Sequence, residues 1–91
     1  MRDEVYVHPR ISELHPEVTE QDVLDAWESC IKFVPRLDCD PIEYLAVGMD
    51  TRGRLIEMIA RQTSIGSYIV FHAFTPPTRK MLFELGMVKR R

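Results

Sequence analysis

Apolar residues follow helical spacing in one segment near the N-terminus. Apolar positions at i, i+1, i+4 and i+8 predict an amphipathic helix over 20–30. Thr19 precedes this segment and Asp22 follows Thr19 by three positions, which approximates a capping box with Asp in place of Glu or Gln. We therefore expect the helix to begin directly after Thr19. Its apolar stripe consists of Val23, Leu24, Trp27 and Ile31.

Three later apolar runs are rich in strand-forming residues. They cover 42–48, 54–61 and 67–74, and short turn-like segments separate them. Short connections favour antiparallel hairpins over crossovers, so the runs predict a meander. A further strand over 31–34, stopped by Pro35, would make it four-stranded.

The two ends of the chain contain shorter predicted elements. A strand is expected over 4–7 and a single helical turn over 11–15. Thr75 is a suitable N-cap for a last helix, with Pro76 at its first position and Gly86 placed to end it.

The order of elements predicts an α+β domain. An N-terminal helix or helices would precede a three- to four-stranded antiparallel meander, which a C-terminal helix would follow. Residues 1–91 would form a single domain, with a mobile tail over 87–91.

Composition narrows the class of protein. The chain has 91 residues, of which 45% are apolar and 29% charged, so one folded core is expected rather than disorder. No apolar run approaches the ~20 residues of a membrane span, and the N-terminus lacks the apolar segment of a secretory signal. Cys30 and Cys39 are too few for a disulfide scaffold. We therefore expect a cytoplasmic protein that does not engage a membrane.

Charge is divided unevenly between the halves of the chain. Residues 1–50 carry four basic and twelve acidic side chains, whereas residues 51–91 carry eight basic and two acidic ones. Pairing between the halves within the molecule and attraction of a polyanion to the second half both explain this division.

The faces of the strands depend on the hairpin register. A two-residue loop at 51–52 would place Val47 opposite Ile56 and Leu45 opposite Met58, and these four would form the core face. The opposite face would mix polar and apolar residues, and such a face is usually just solvated. Its members would be Tyr44, Ala46, Leu55, Glu57, Ile59 and Arg61.

His72 is the most informative candidate for chemistry, because it lies inside an otherwise apolar strand. It is either a buried neutral residue bonded to the backbone or a proton-transfer group at the end of the sheet. Its face depends on the register of the second hairpin. Arg79 and Lys80 oppose the dipole at the start of the last helix, a placement that a bound anion there would make tolerable. Arg54, Arg61, Arg79, Lys80 and His72 could together surround a phosphodiester.

Other kinds of site have little support in the sequence. His8, His15 and His72 lack the spacing of zinc ligands, and no phosphate-binding loop is present. We expect neither a metal nor a cofactor.

Several segments resemble the BrnT-like toxins of bacterial type II toxin–antitoxin modules, which are related in fold to the RelE/ParE group. The resemblance covers roughly 11–86. It is carried by the helix V-T-E-Q-D-V-L-D-A at 18–26, the turn and strand at 48–57, the strand I-V-F-H-A at 69–73, and the Thr/Pro-led helix with Arg79 and Lys80. The sequence departs from the family at Phe74, which replaces an arginine at the end of the last strand.

The resemblance implies a metal-independent ribonuclease that blocks translation and is neutralised by a cognate antitoxin protein. His72 or Glu57 would take the proton from an RNA 2′-hydroxyl, and Arg54 and Arg61 would neutralise the phosphate. Arg79 and Lys80 would hold the RNA backbone. The alternatives are a non-catalytic module that binds protein or nucleic acid, and a homo-oligomer that exposes a sheet edge.

Overall fold

Along the chain, the first and second strands of a five-stranded sheet are separated by two helices, and a third helix follows the last strand. The computed structural model describes residues 4–89, so the last two residues of the predicted tail lie outside the described range. The elements are β1 (Val5–Val7), α1 (Arg10–Leu14), α2 (Glu20–Glu28), β2 (Cys30–Arg36), β3 (Glu43–Met49), β4 (Leu55–Gln62), β5 (Tyr68–Phe74) and α3 (Arg79–Glu84).

The sheet is mixed, with strand order β1-β5-β4-β3-β2. Strands β2 to β5 form an antiparallel meander, whereas β1 pairs in parallel with β5 at one edge. The α+β class is confirmed, and the predicted meander accounts for four of the five strands. The parallel edge strand was missed as a sheet member because its partner lies some sixty residues away in the sequence.

The predicted register of the first hairpin is wrong by one residue. The turn is not a two-residue loop: the N–H of Asp50 donates to the carbonyl of Arg54, so residues 50–54 form the connection. Val47 therefore pairs with Glu57 instead of Ile56. This one-residue shift places the apolar residues of β3 on both faces of the sheet.

Each face of the sheet consequently has its own core. On one face, α1 and α2 pack against Ala46, Ile56, Met58 and Ala60. On the other, α3 packs against Leu45 and Val47. Tyr44 and Ala46 thus lie on one face of the sheet and Glu57 on the other, although the prediction placed all three on the same face. The buried members of the first core are Ile11, Val18, Val23, Ala26, Trp27, Ala46, Ile56, Met58, Ala60, Tyr68, Val70 and Ala73.

Two boundaries of β2 differ from the prediction. Helix α2 ends at Glu28, two residues early, because β2 begins at Cys30. The strand also continues through Pro35, which pairs with Tyr44. Proline is tolerated there because β2 is an edge strand, whose outward backbone groups have no strand partner.

Both longer helices begin at a threonine N-cap. The side chain of Thr19 accepts from the N–H of Asp22 and Asp22 accepts from the N–H of Thr19, so the capping box is confirmed. For α3 the N-cap is Thr78, not Thr75 as predicted. Thr75 instead donates its hydroxyl to the carbonyl of Leu55 at 2.7 Å, which fastens the segment before α3 to the sheet.

Candidate functional site

A carboxylate and an imidazole meet on the sheet face that α3 partly covers. Glu57 lies on β4 and His72 on β5, and Nε2 of His72 is 2.8 Å from Oε2 of Glu57. The Glu57 side chain is 5% exposed and the His72 side chain 37% exposed. The pair therefore joins a buried carboxylate to an imidazole that solvent can reach, as acid–base chemistry requires.

His72 reaches this face because β5 contains a β-bulge. Val70 points into the core beneath α2, and strict alternation would send His72 to the same side. The pairing of Ala60 with Val70 is followed directly by that of Ile59 with His72, so Phe71 is an additional residue on β5. The extra residue reverses the alternation and brings His72 to the face of Glu57.

Hydrogen bonds keep Glu57 ionised. The N–H of Thr78 donates to Oε1 at 2.6 Å, and His72 bonds to Oε2. Burial acts to raise the pKa of Glu57, but the hydrogen bonds from His72 and Thr78 outweigh it, so the pKa lies below its ordinary value.

The ionised carboxylate fixes the tautomer of His72. A carboxylate only accepts hydrogen bonds, so Nε2 of His72 carries the proton. In the neutral ring, Nδ1 then holds the lone pair, and it makes no hydrogen bond to any residue from 4 to 89. The free nitrogen is therefore available to accept a proton from a bound molecule.

The same carboxylate occupies the start of α3. Glu57 accepts from the backbone of Thr78, while the Thr78 hydroxyl accepts from the N–H of Met81. The anion expected at this helix start is therefore supplied by the protein itself. Arg79 and Lys80 follow directly and are exposed.

A groove of about 230 Å³ opens beside the carboxylate, between the sheet and α3. Arg36 reaches it from β2, but its guanidinium is bound by Glu43 at 2.8 Å and Glu84 at 2.9 Å. Lys80 forms no ion pair within the described range, so its ammonium supplies unpaired positive charge. The groove is lined by Arg36, Glu57, Ile59, Thr78, Lys80, Met81 and Glu84.

Arg61 shares the face of Glu57 but lies four residues further along β4, a separation of about 13 Å in an extended strand. Its guanidinium pairs with Glu43 at 3.2 Å. The Cζ atom of Arg61 also lies over the ring of Phe71, 4.6 Å from the centroid. Arg61 therefore shares the sheet face of the Glu57–His72 pair, but its ion pair and ring contact are with Glu43 and Phe71 and not with the Glu57 carboxylate.

The structure does not bring Arg54 to His72. Arg54 contacts Asp50 at 2.7 Å and Asp22 at 3.0 Å, and it donates to the carbonyl of Glu17 at 3.0 Å. These bonds join the β3–β4 turn to the start of α2, on the other side of the sheet. The position of Arg54 is explained by this structural role.

The opposite charges of the two halves pair within the chain. Acidic side chains of residues 1–50 bind arginines of residues 51–91, and one pair runs the other way. The pairs are Asp22 with Arg52 and Arg54, Asp50 with Arg54, Glu43 with Arg61, and Arg36 with Glu84. Intramolecular pairing therefore explains part of the uneven distribution of charge along the chain. The attraction of a polyanion to the second half stays a prediction.

Other chemical candidates find no site in the described residues. From 4 to 89, no three His, Cys, Asp or Glu side chains are grouped as metal ligands. Cys30 and Cys39 are free thiols, and burial raises the pKa of Cys30. Within the same range, none of the helices has the length and apolar character needed to cross a membrane.

Sequence reasoning missed two residues that contact the site. Thr78 is bonded to Glu57 through its backbone, and Phe71 lies against Arg61. A threonine after two prolines carries an N-cap signal that could have identified Thr78. The chain offers no such local signal for Phe71, because its role depends on the bulge.

Comparison with protein-family models, curated proteins and solved structures finds no match to this chain. The function is therefore inferred from the chemistry of the site together with the resemblance in sequence.

Proposed function

We propose that this protein is a metal-independent endoribonuclease that acts as the toxin of a bacterial toxin–antitoxin module. The observation that carries the proposal is the Glu57–His72 pair, in which a buried carboxylate orients an accessible imidazole. The resemblance of residues 11–86 to BrnT-like toxins supplies the substrate class, and Lys80 supplies positive charge at the adjoining groove.

In the proposed reaction, Nδ1 of His72 accepts the proton of an RNA 2′-hydroxyl while the oxygen attacks the adjacent phosphorus. The new O–P bond forms as the bond to the 5′ oxygen breaks, and the departing oxygen takes a proton from water. The products are a 2′,3′-cyclic phosphate and a 5′-hydroxyl end. The imidazolium then returns its proton to solvent.

Glu57 is a positioning residue in this scheme. Its carboxylate holds the proton on Nε2 of His72 and stabilises the imidazolium that forms during attack. Its bond to the backbone of Thr78 fixes the carboxylate itself. The imidazole is thus oriented before RNA binds, which reduces the reorganisation that the reaction requires.

In this scheme Lys80 takes the electrostatic role that was predicted from the sequence for Arg54 and Arg61. Its ammonium would stabilise the charge that develops on the phosphate, and neighbouring Arg79 would hold the RNA backbone. Phe74 stands where the BrnT-like toxins carry an arginine, and it pairs with Glu57 across the strands. The phenyl ring of Phe74 carries no charge. In this scheme Lys80 supplies the positive charge that the arginine would provide.

Cleavage of RNA by the purified protein tests the proposal. We expect 2′,3′-cyclic phosphate ends in the presence of EDTA, and no cleavage of 2′-O-methyl RNA, which lacks the nucleophile. His72→Ala should lower kcat by about 10²–10⁴-fold. His8→Ala replaces an exposed histidine whose imidazole accepts from the N–H of Arg10 and takes no part in the Glu57–His72 pair, and it is the matched control. Absence of cleavage by the folded wild type, or a His72→Ala variant of undiminished rate, would contradict the proposal.

Glu57→Gln tests the positioning role. The amide cannot accept both hydrogen bonds, so the tautomer of His72 is no longer fixed. We expect kcat to fall at least tenfold while the affinity for 2′-O-methyl RNA stays within twofold. Equal loss of affinity and kcat would indicate that Glu57 acts only through folding.

Growth on induced expression provides the corresponding test in cells. The wild type should arrest growth, His72→Ala should relieve the arrest at equal soluble protein, and co-expression of the cognate antitoxin should restore growth. Arrest that persists in His72→Ala would separate toxicity from the proposed site.

A non-catalytic binding module is the second candidate, and the surface of α1 and α2 favours it. Glu13, Glu17, Glu20 and Glu28 are exposed on this layer. Such a surface suits a basic partner through electrostatic complementarity. This candidate predicts that Glu20→Lys with Glu28→Lys abolishes binding of a basic partner, whereas His72→Ala has no effect.

A further inference from the structure

A second feature lies directly beside the proposed catalytic pair. Arg61 and Phe71 form a stack on the same sheet face, with the guanidinium carbon 4.6 Å from the ring centroid. Phe71 is the bulge residue next to His72, and Arg61 follows Ile59, the strand partner of His72, by two positions. Because Phe71 is the chain neighbour of His72, the stack lies next to His72 along β5.

Arg61 is held both by an ion pair and by an aromatic ring. Arg36 donates to Oε1 of Glu43 at 2.8 Å, and Arg61 binds the other oxygen, Oε2, at 3.2 Å. The ring of Phe71 supports one side of the guanidinium, and the Arg61 side chain is 49% exposed. A flat, cationic plane is therefore held in place with its outer side open to solvent.

We propose that the Arg61–Phe71 stack binds an unpaired nucleobase next to the phosphate that is cleaved, in single-stranded RNA. Unstacked bases in RNA loops and ends bind on arginine planes and aromatic rings, whereas paired bases are not free to do so. This inference rests on the proposed function for its choice of RNA. It reassigns Arg61 from phosphate neutralisation to contact with a base.

Two probes of equal phosphate charge separate base contact from backbone contact. One is fluorescent 2′-O-methyl hexa-adenylate, and the other is a six-unit abasic phosphodiester chain. Arg61→Lys keeps the charge and removes the plane, and Phe71→Leu removes the supporting ring. Base–aromatic stacking energies imply that each variant binds hexa-adenylate about tenfold more weakly in fluorescence anisotropy, with unchanged affinity for the abasic chain.

Matched controls are available elsewhere on the surface. Arg10→Lys and Phe83→Leu make the same chemical changes at exposed positions that are not part of the stack, and should alter neither affinity. Phe71→Trp should retain the preference for hexa-adenylate, because the indole also supports a guanidinium. This variant keeps the test decisive if Phe71→Leu does not fold.

The outcomes distinguish this inference from the proposed function. The proposed base contact would be overturned if Arg61→Lys and wild type bound hexa-adenylate equally well, or if the variant lost affinity equally for both probes. Neither result would contradict the proposed ribonuclease activity. Base-dependent binding without cleavage of unmodified RNA would support the stack and overturn the ribonuclease. A wild type that binds neither probe would overturn both.

Discussion

Replacing Gly48 with alanine should destabilise the protein through a clash between backbone and side chain. Gly48 lies on β3 under α2, and a Cβ atom built there falls on the carbonyl oxygen of Ala26 and 2.5 Å from its carbonyl carbon. Ordinary contact requires about 3.4 Å, and the carbonyl oxygen is the nearest atom, so α2 must retreat by more than about 1 Å. The obstacle is helix backbone, and no side-chain rotation relieves it.

The expected loss follows from the residues that α2 buries. Val23, Ala26 and Trp27 are at most 1% exposed, and their burial contributes about 5–6 kcal/mol together. A gap of about 1 Å already forfeits about half of such contacts, or about 2.5–3 kcal/mol. Alanine also restricts the unfolded chain more than glycine does, and this offsets about 0.4–1 kcal/mol of the loss. We therefore expect the free energy of unfolding to fall by about 2 kcal/mol.

Urea unfolding at pH 7 measures this loss, and thermal unfolding should show a Tm lower by about 8–16 °C. Gly66→Asn is the matched control, because Gly66 has a φ of +90° in open space and asparagine tolerates that region better than other residues. The control should lose less than about 1 kcal/mol. A Gly48→Ala variant within 0.5 kcal/mol of wild type, roughly the scatter of surface substitutions, would refute the inferred close approach of α2 to β3.

Two further perturbations probe the charged groups. Hydrogen bonds and ion pairs lower the pKa values of Asp22, Asp50 and Glu57 despite their burial, so the unfolded chain takes up protons first as the pH falls. The urea concentration at the midpoint of unfolding should therefore fall once the pH is lower than about 4. A midpoint that does not change from pH 7 to pH 3 would contradict these pKa shifts. Arg54→Ala leaves the fully buried Asp50 side chain without its ion-pair partner, so its Tm should fall well below that of a matched Arg10→Ala variant. A similar Tm for both variants would argue against a structural role for Arg54.

Elements that depend on neighbouring residues were predictable from the sequence. The capping box at Thr19 involves residues within one helical turn, and it occurs as predicted. Of the predicted apolar stripe, Val23 and Trp27 are buried on α2, whereas Ile31 was placed there wrongly, because it lies on β2 and is 53% exposed. The apolar runs located β3, β4 and β5 to within one residue or so at each end. Alternation along β4 also separated Glu57 and Arg61 from Ile56 and Met58 correctly.

The candidate site was predictable in part. His72 and Glu57 were both identified by residue type and position, and the structure brings them together. Their contact could not be predicted, because it depends on a bulge at Phe71 that exchanges the two faces of β5. The contact between Thr78 and Glu57 likewise depends on how the segment after β5 folds back over the sheet.

The sequence by itself determined the α+β class, most of the elements and the two residues of the candidate pair. Local spacing is sufficient for these, since caps, turns and periodicity involve residues a few positions apart. Only the tertiary structure decided the hairpin register, the parallel pairing of β1 with β5 and the separate position of Arg54. Register changes the face of every side chain in a strand, and packing by distant segments on both sides of the sheet selects it.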